Sequence, residues 1–196
     1  MRTSVLSILL LFLTALNVFS QEKKVIQVET DNLAMIFTAS PNEKVIFQYW
    51  GNKLNGVSSF TDKKIKGQPD TSDNFASQMY PAYGGRYYLN PALKLTHDDG
   101  VLTTELVYVG TQTKTLDSNR TETVISLKDK LYPVYVDIRF IAYKKENVIA
   151  QSVTISHKEK SGIKVENLAS SYIPIHAGSY YLTHFNGTWS AEMQME

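Results

Sequence analysis

The side chains able to do chemistry in this sequence are few and scattered. Asp98 and Asp99 are the one adjacent carboxylate pair, and they run straight into Gly100. Neighbours on a strand point to opposite faces, and Asp-Gly is a turn sequence, so the pair reads as turn residues rather than as an acid and a base. Glu192 and Glu196 lie four apart near the C-terminus, in a stretch with Trp189 and Met193, and read as solvent-side strand residues. The four histidines, His97, His157, His176 and His184, show neither HxH nor HExxH spacing, and cysteine is absent. Nothing in the spacing points to a metal or any other cofactor. No G-x-S-x-G elbow marks a serine nucleophile. Asn119-Arg-Thr121 and Asn186-Gly-Thr188 are glycosylation sequons, both in turn sequences.

Aromatic residues carry the stronger signal. Between Met79 and His97 the chain places Tyr80, Tyr83, Tyr87 and Tyr88 among Pro81, Pro91 and the pair Gly84-Gly85. Proline fixes φ and glycine permits positive φ, so this is a loop of defined shape. Sugars present flat C–H faces that stack on tyrosine and tryptophan beside a few polar groups. Tyr83, Arg86, Tyr87, Tyr88 and Trp50 are the candidate sugar contacts. The bland reading gives the same rings to a core or to a surface covered by another domain, and for any single ring burial is the better expectation.

The elements that would position these residues read as strands. Val25 to Glu29, Leu33 to Thr38 and Val45 to Trp50 are short apolar or alternating runs bounded by turn sequences. Asn52 to Gln78 is a long polar stretch, more in keeping with a functional loop than with a linker. After the tyrosine loop, Leu93 to His97 and Leu102 to Val109 flank Asp-Asp-Gly, which predicts a hairpin. Gly110 reads as a break before Thr111 to Leu116. Arg120 to Leu127, Val134 to Tyr143, Val148 to His157, Ile163 to Tyr172 and Tyr180 to Phe185 follow, and Asn186-Gly187 is expected to turn the chain into Thr188 to Met193. In Val134 to Ile141, alternate residues are apolar, the mark of an antiparallel sheet with one buried face. About a dozen strands and no helical period predict an all-β, two-layer antiparallel sandwich.

Arg2 followed by the apolar run Val5 to Leu16 and the polar Gln21-Glu22-Lys23-Lys24 reads as a secretory signal peptide over residues 1–20. That run is short for a membrane span. Residues 21–196 are then one domain, exported to the periplasm or secreted, with no membrane span after cleavage. Without Arg2 the chain has 19 basic and 19 acidic residues, and no basic patch suggests nucleic acid. A cysteine-free exported chain of this size fits a bacterial source. An outer-membrane barrel is disfavoured, because Lys94, Glu105, Arg120 and Lys164 interrupt strands whose lipid face would have to be apolar.

Three ordered motifs resemble the family 36 glycoside hydrolases, the bacterial and fungal α-galactosidases. Val45 to Leu54, with Tyr49-Trp50-Gly51-Asn52-Lys53-Leu54, is similar to the family's YWG-x-x-L strand end. Tyr80 to Ala92 is similar to its YP-x-[YF]-G-T-G-D-[FY]-R-x-P-A loop, and Gly187 to Glu192 to its G-x-W-x-x-E segment. The resemblance implies an N-terminal β-supersandwich of the galactose-mutarotase-like type. It also implies an intramolecular (β/α)8 barrel as its partner, with two catalytic aspartates on that barrel. Members hydrolyse α-galactoside oligosaccharides with retention, and in several tetramers the N-terminal domain lends a loop to a neighbour, so a homo-oligomer is possible.

Retaining hydrolysis needs two carboxylates about 5 Å apart, and in the family both stand on a barrel this chain does not contain. No catalytic residue is therefore expected here. The chain reads as a piece of a longer reading frame or as a truncated homologue. Tyr87 and Leu89 replace the family's loop Asp and Arg, so a sugar contact by this loop would rest on Arg86, Tyr87 and Tyr88 instead. The competing reading is a stand-alone carbohydrate-binding β-sandwich.

Overall fold

The computed structural model describes residues 23–56, 77–84, 90–174, 185–188 and 191–195. The expected signal peptide lies outside them, as do Arg86, Tyr87 and Tyr88. Eleven strands occur among the described residues: β1 (Lys24–Glu29), β2 (Leu33–Ala39), β3 (Ile46–Asn52), β4 (Leu93–Thr96), β5 (Leu106–Thr115), β6 (Arg120–Asp129), β7 (Val134–Tyr143), β8 (Val148–His157), β9 (Lys164–Leu168), β10 (Phe185–Thr188) and β11 (Ala191–Met195). They form a three-stranded sheet β1-β2-β3, a four-stranded sheet β5-β6-β7-β8, and the pairs β4-β9 and β10-β11. Every ladder is antiparallel.

The alternation of β7 produces the core. Val134, Val136, Ile138, Phe140 and Ala142 are buried, while Tyr135, Asp137 and Arg139 face water. Each such side chain of Val size or larger contributes about 1.5–3 kcal/mol on burial. Phe37 of β2 meets Phe140 with ring centroids 5.4 Å apart and stands edge-on to Phe47 of β3 at 5.8 Å, which packs the two sheets face to face. On the solvent face of the four-stranded sheet, Arg139 pairs with Glu122, and the Ser126 hydroxyl donates to Asp137 at 2.6 Å.

Side chains in the turns tie the sheets together. Asn147, at φ 54°, accepts from the Thr30 hydroxyl at 3.0 Å and from the Asn32 amide at 2.9 Å. It thereby clasps the β1–β2 turn to the β7–β8 turn. Asn119 does the same for β5–β6, donating through Nδ2 to Glu146 at 2.7 Å and accepting from the Lys145 amide at 3.0 Å. Buried Asp129 closes the β6–β7 turn by accepting from the Leu131 and Tyr132 amides.

Three expectations change. Asp98-Asp99-Gly100 does turn, with Gly100 at φ 85° and the His97 amide donating to the Val101 carbonyl at 2.8 Å. Yet residues 101–105 form no ladder with β4; β4 pairs instead with distant β9, and β5 with β6. Gly110 does not break β5, because the strand passes through it with a register shift between Tyr108 and Gly110. Asn186-Gly187 lies inside β10 at another shift, and Thr188 at the end of β10 pairs with Ala191 at the start of β11.

Candidate functional site

The first arm of the tyrosine loop is built into the fold by its backbone. The Met79 amide donates to the Val45 carbonyl, and the Ala92 amide donates to the Pro81 carbonyl. The Tyr83 amide donates to the Leu93 carbonyl at 2.8 Å, and the Tyr83 carbonyl accepts from the Thr104 amide at 2.9 Å. Tyr80 is buried, and its hydroxyl donates to the Ala169 carbonyl at 2.7 Å, joining the loop to the segment after β9. Burial pushes the Tyr80 phenol well above its usual range, so it stays a donor at any physiological pH. Tyr80 is thus a structural pin.

Tyr83 is partly exposed, and the Lys94 ammonium lies 4.7 Å from its ring centroid. The next residue fixes where the loop goes. Gly84 has φ 111°, and a Cβ there would fall 2.7 Å from the Thr103 Cα. No other residue satisfies both the torsion and the contact. Tyr83 therefore leaves the core at the edge of a rigid frame, immediately before residues 85–89.

Trp50 stands apart from that frame. The loop joins β3 near its start, where Gln78 bridges Ile46, whereas Trp50 lies four residues further along the strand. That is roughly 13 Å at strand rise. Tyr49 curls over Gly51, where a Cβ would meet its hydroxyl at 2.5 Å, and donates to the Asn52 carbonyl at 2.8 Å. The Tyr-Trp-Gly sequence thus shapes the strand end. Trp50, opposite Met35 of β2, is left 51% exposed. The structure does not gather Trp50 and Tyr83 into one site.

Sequence reasoning missed a buried polar cluster. His97 Nδ1 donates to Glu159 at 2.7 Å, and Nε2 lies 3.0 Å from the Thr104 hydroxyl. Glu159 also accepts from the Asp98 amide at 2.9 Å, and the Tyr132 ring stacks on the imidazole at 3.7 Å. Burial pushes the Glu159 carboxyl upward, but the Asp98 amide and His97 outweigh it and hold the group below its usual range. Asp99 is likewise held low, by the Val101 amide and the Tyr132 hydroxyl, and its carboxylate pushes the Tyr132 phenol up to about 12.

Thr104, His97 and Glu159 have the connectivity of a nucleophile, base and orienter. Thr104 is 1% exposed and His97 3%, with Tyr132 lying over the ring, so no substrate reaches them. The cluster is a staple that locks residues 97–104 to the segment after β8 and to the β6–β7 turn. Its members are 62 and 7 residues apart, and no local pattern announces them.

Comparison with known proteins matches this architecture. The family model described as the glycosyl hydrolase family 36 N-terminal domain covers residues 43–196. The α-galactosidase AgaA of Geobacillus stearothermophilus is 28% identical over an alignment of 172 positions that covers 76% of this chain and 24% of that protein. The bifunctional α-galactosidase/sucrose kinase AgaSK of Mediterraneibacter gnavus is 21% identical over 91% of this chain and 22% of its own length. The chain thus spans about a quarter of the length of these relatives. Among solved structures, the α-galactosidase from Lactobacillus brevis superposes with a TM-score of 0.74 at 20% identity, over 88% of this chain and 26% of its own. AgaA in complex with raffinose gives 0.73 at 23% identity, over 88% and 27%. The sandwich, its antiparallel sheets and the match over residues 43–196 together place this chain in the glycosyl hydrolase family 36 N-terminal domain family.

Proposed function

We propose that this chain is the accessory N-terminal domain of an α-galactosidase-like retaining glycoside hydrolase, packing on and shaping the active site of a (β/α)8 barrel that lies outside it. The observation that supports this reading is the rigid frame at residues 79–84. Tyr80 and Gly84 fix the direction in which the chain enters residues 85–89, within a family whose matched members are α-galactosidases. In this reading Tyr83, Arg86, Tyr87 and Tyr88 face the barrel site and the galactoside bound there. The chain alone performs no hydrolysis. Among its described carboxylates, Glu159 and Asp99 are committed to His97 and Tyr132 rather than poised across an open cleft. The apolar N-terminal run supports export of the whole protein.

Reading the gene beyond codon 196 tests the proposal. A downstream barrel with aspartates at strand ends is the expected result, and the enzyme joined to it should release galactose from raffinose while the chain alone does not. A reading frame that closes at 196, or continues into an unrelated domain, overturns it.

A further inference from the structure

Residues 98–103 are all exposed, and none of them belongs to a strand. Such a segment has little apolar burial of its own and opens more readily than the sheets beside it. Its two ends, His97 and Thr104, are tied down together at the His97 imidazole. One ring nitrogen donates to Glu159 at 2.7 Å and the other lies 3.0 Å from the Thr104 hydroxyl. The second Glu159 oxygen accepts from the Asp98 amide at 2.9 Å. The arm in turn supports the tyrosine loop. The Thr104 amide donates to the Tyr83 carbonyl at 2.9 Å. The Thr103 backbone fills the space where Gly84 would carry a Cβ. An unbroken line of contacts thus runs from the Glu159 carboxylate to the frame at residues 79–84.

We propose that Glu159 is an acid-released latch for the tyrosine loop: a proton taken up there frees residues 97–104 and, with them, the Tyr83–Gly84 frame. As a carboxylate, Glu159 accepts two charge-assisted bonds with a side chain only 2% exposed. The neutral acid carries its proton on one of those two oxygens and so turns a donor toward an N–H. The open arm returns the group to water and its ordinary value of 4.5, whereas the closed arm holds it lower. The proton therefore binds the open form more tightly, and opening grows as pH falls below 4.5. The groups packed around Glu159 do not replace it. Asp98 and Asp99, on the arm itself, are exposed, and Asp99 is taken up by the Val101 amide and the Tyr132 hydroxyl. In the β6–β7 turn Asp129 accepts from the Leu131 and Tyr132 amides, and Tyr132 stacks on His97. Lys158 and Lys160 flank Glu159 in sequence, with the Lys158 ammonium lying over the Tyr135 ring. The latch acts within this chain, so it stands or falls apart from any reading of the loop's partner.

An NMR titration of the chain from neutral to acid pH tests this, following the Glu159 carboxyl carbon together with amide hydrogen exchange corrected for its intrinsic pH dependence. The carboxyl midpoint should fall below 4.5. Exchange at the Asp98, Thr104 and Tyr83 amides should rise by up to about tenfold per pH unit in that range, as expected for one coupled proton. The β6 and β7 amides should keep their protection. Glu159→Gln should remove the acid step and leave these three amides faster at neutral pH, and Asp99→Asn should leave the step in place. The parent titration decides the matter by itself should a variant fail to fold. The proposal is overturned if Tyr83 and Thr104 stay protected until β6 and β7 open in the same transition. An acid step that survives Glu159→Gln, or that Asp99→Asn removes, also overturns it.

Discussion

The β5–β8 meander and the β4–β9 pair are built from the same kind of residue run, but they are held in different ways. In the meander each strand pairs with its neighbour in sequence, and β7 buries every second side chain. β4 and β9 are joined across some seventy residues, and β9 exposes all five of its residues, including Val165 and Leu168. β4 buries Leu93 and Leu95, and a set of long-range polar links adds to that burial: Tyr80 to Ala169, His97 to Glu159 and the Tyr83 backbone to Leu93 and Thr104. Apolar periodicity holds the scaffold, while core burial and directional bonds together hold the part that carries the candidate functional loop.

Substitutions at the two kinds of position should separate them. Phe140→Ala removes the ring shared by both sheets and is expected to cost about 3–5 kcal/mol. It should unfold the whole domain in one transition, measured by urea titration. Gly84→Ala meets both an unfavourable torsion and the Thr103 backbone, and should cost about 2–4 kcal/mol. Its damage should be local, with faster hydrogen exchange at the Tyr83, Leu93 and Thr104 amides while the β6 and β7 amides stay protected. Equal loss of protection in the meander would mean that the two regions are one cooperative unit.

Glu159→Gln keeps an acceptor for His97 but turns an amide donor toward Asp98 or His97, for an expected cost of about 1–3 kcal/mol. The pH dependence has a definite sign. The Glu159 carboxyl is held below its ordinary value of 4.5 in the folded chain, so its contribution is complete above that value. It is lost as pH falls through the lowered one. The parent chain should therefore lose stability on acidification below about 4.5, and Glu159→Gln should show a shallower loss in thermal melts over the same range. Tyr80→Phe removes one buried hydrogen bond and leaves the ring in place, with an expected cost of about 1 kcal/mol.

The contrast also explains what the sequence could reveal. Val134 to Tyr143 and Val148 to His157 emerge as strands with those bounds, because alternation is a local property. Asp98-Asp99-Gly100 identifies a turn but not the partner of the strand that enters it. That choice is made by Leu95 and Leu93 packing into the core and by β9, whose residues lie far off in sequence. Trp50 and Tyr83 are recognisable as candidates from residue type alone. Their separation is not, since it follows from which end of β3 each belongs to. The staple is invisible for the same reason: no spacing rule connects His97 with Glu159 and Tyr132.

The clasp at Asn119 bears on how the protein can be made. A eukaryotic secretory pathway would attach an oligosaccharide at the Asn119-Arg-Thr121 acceptor through the same Nδ2 that donates to Glu146. The substituted nitrogen would carry its branched adduct into the junction of the β5–β6 and β7–β8 turns, beside the bond from Lys145. A bacterial host, or a chain with Thr121 replaced by valine, keeps that junction free of the modification.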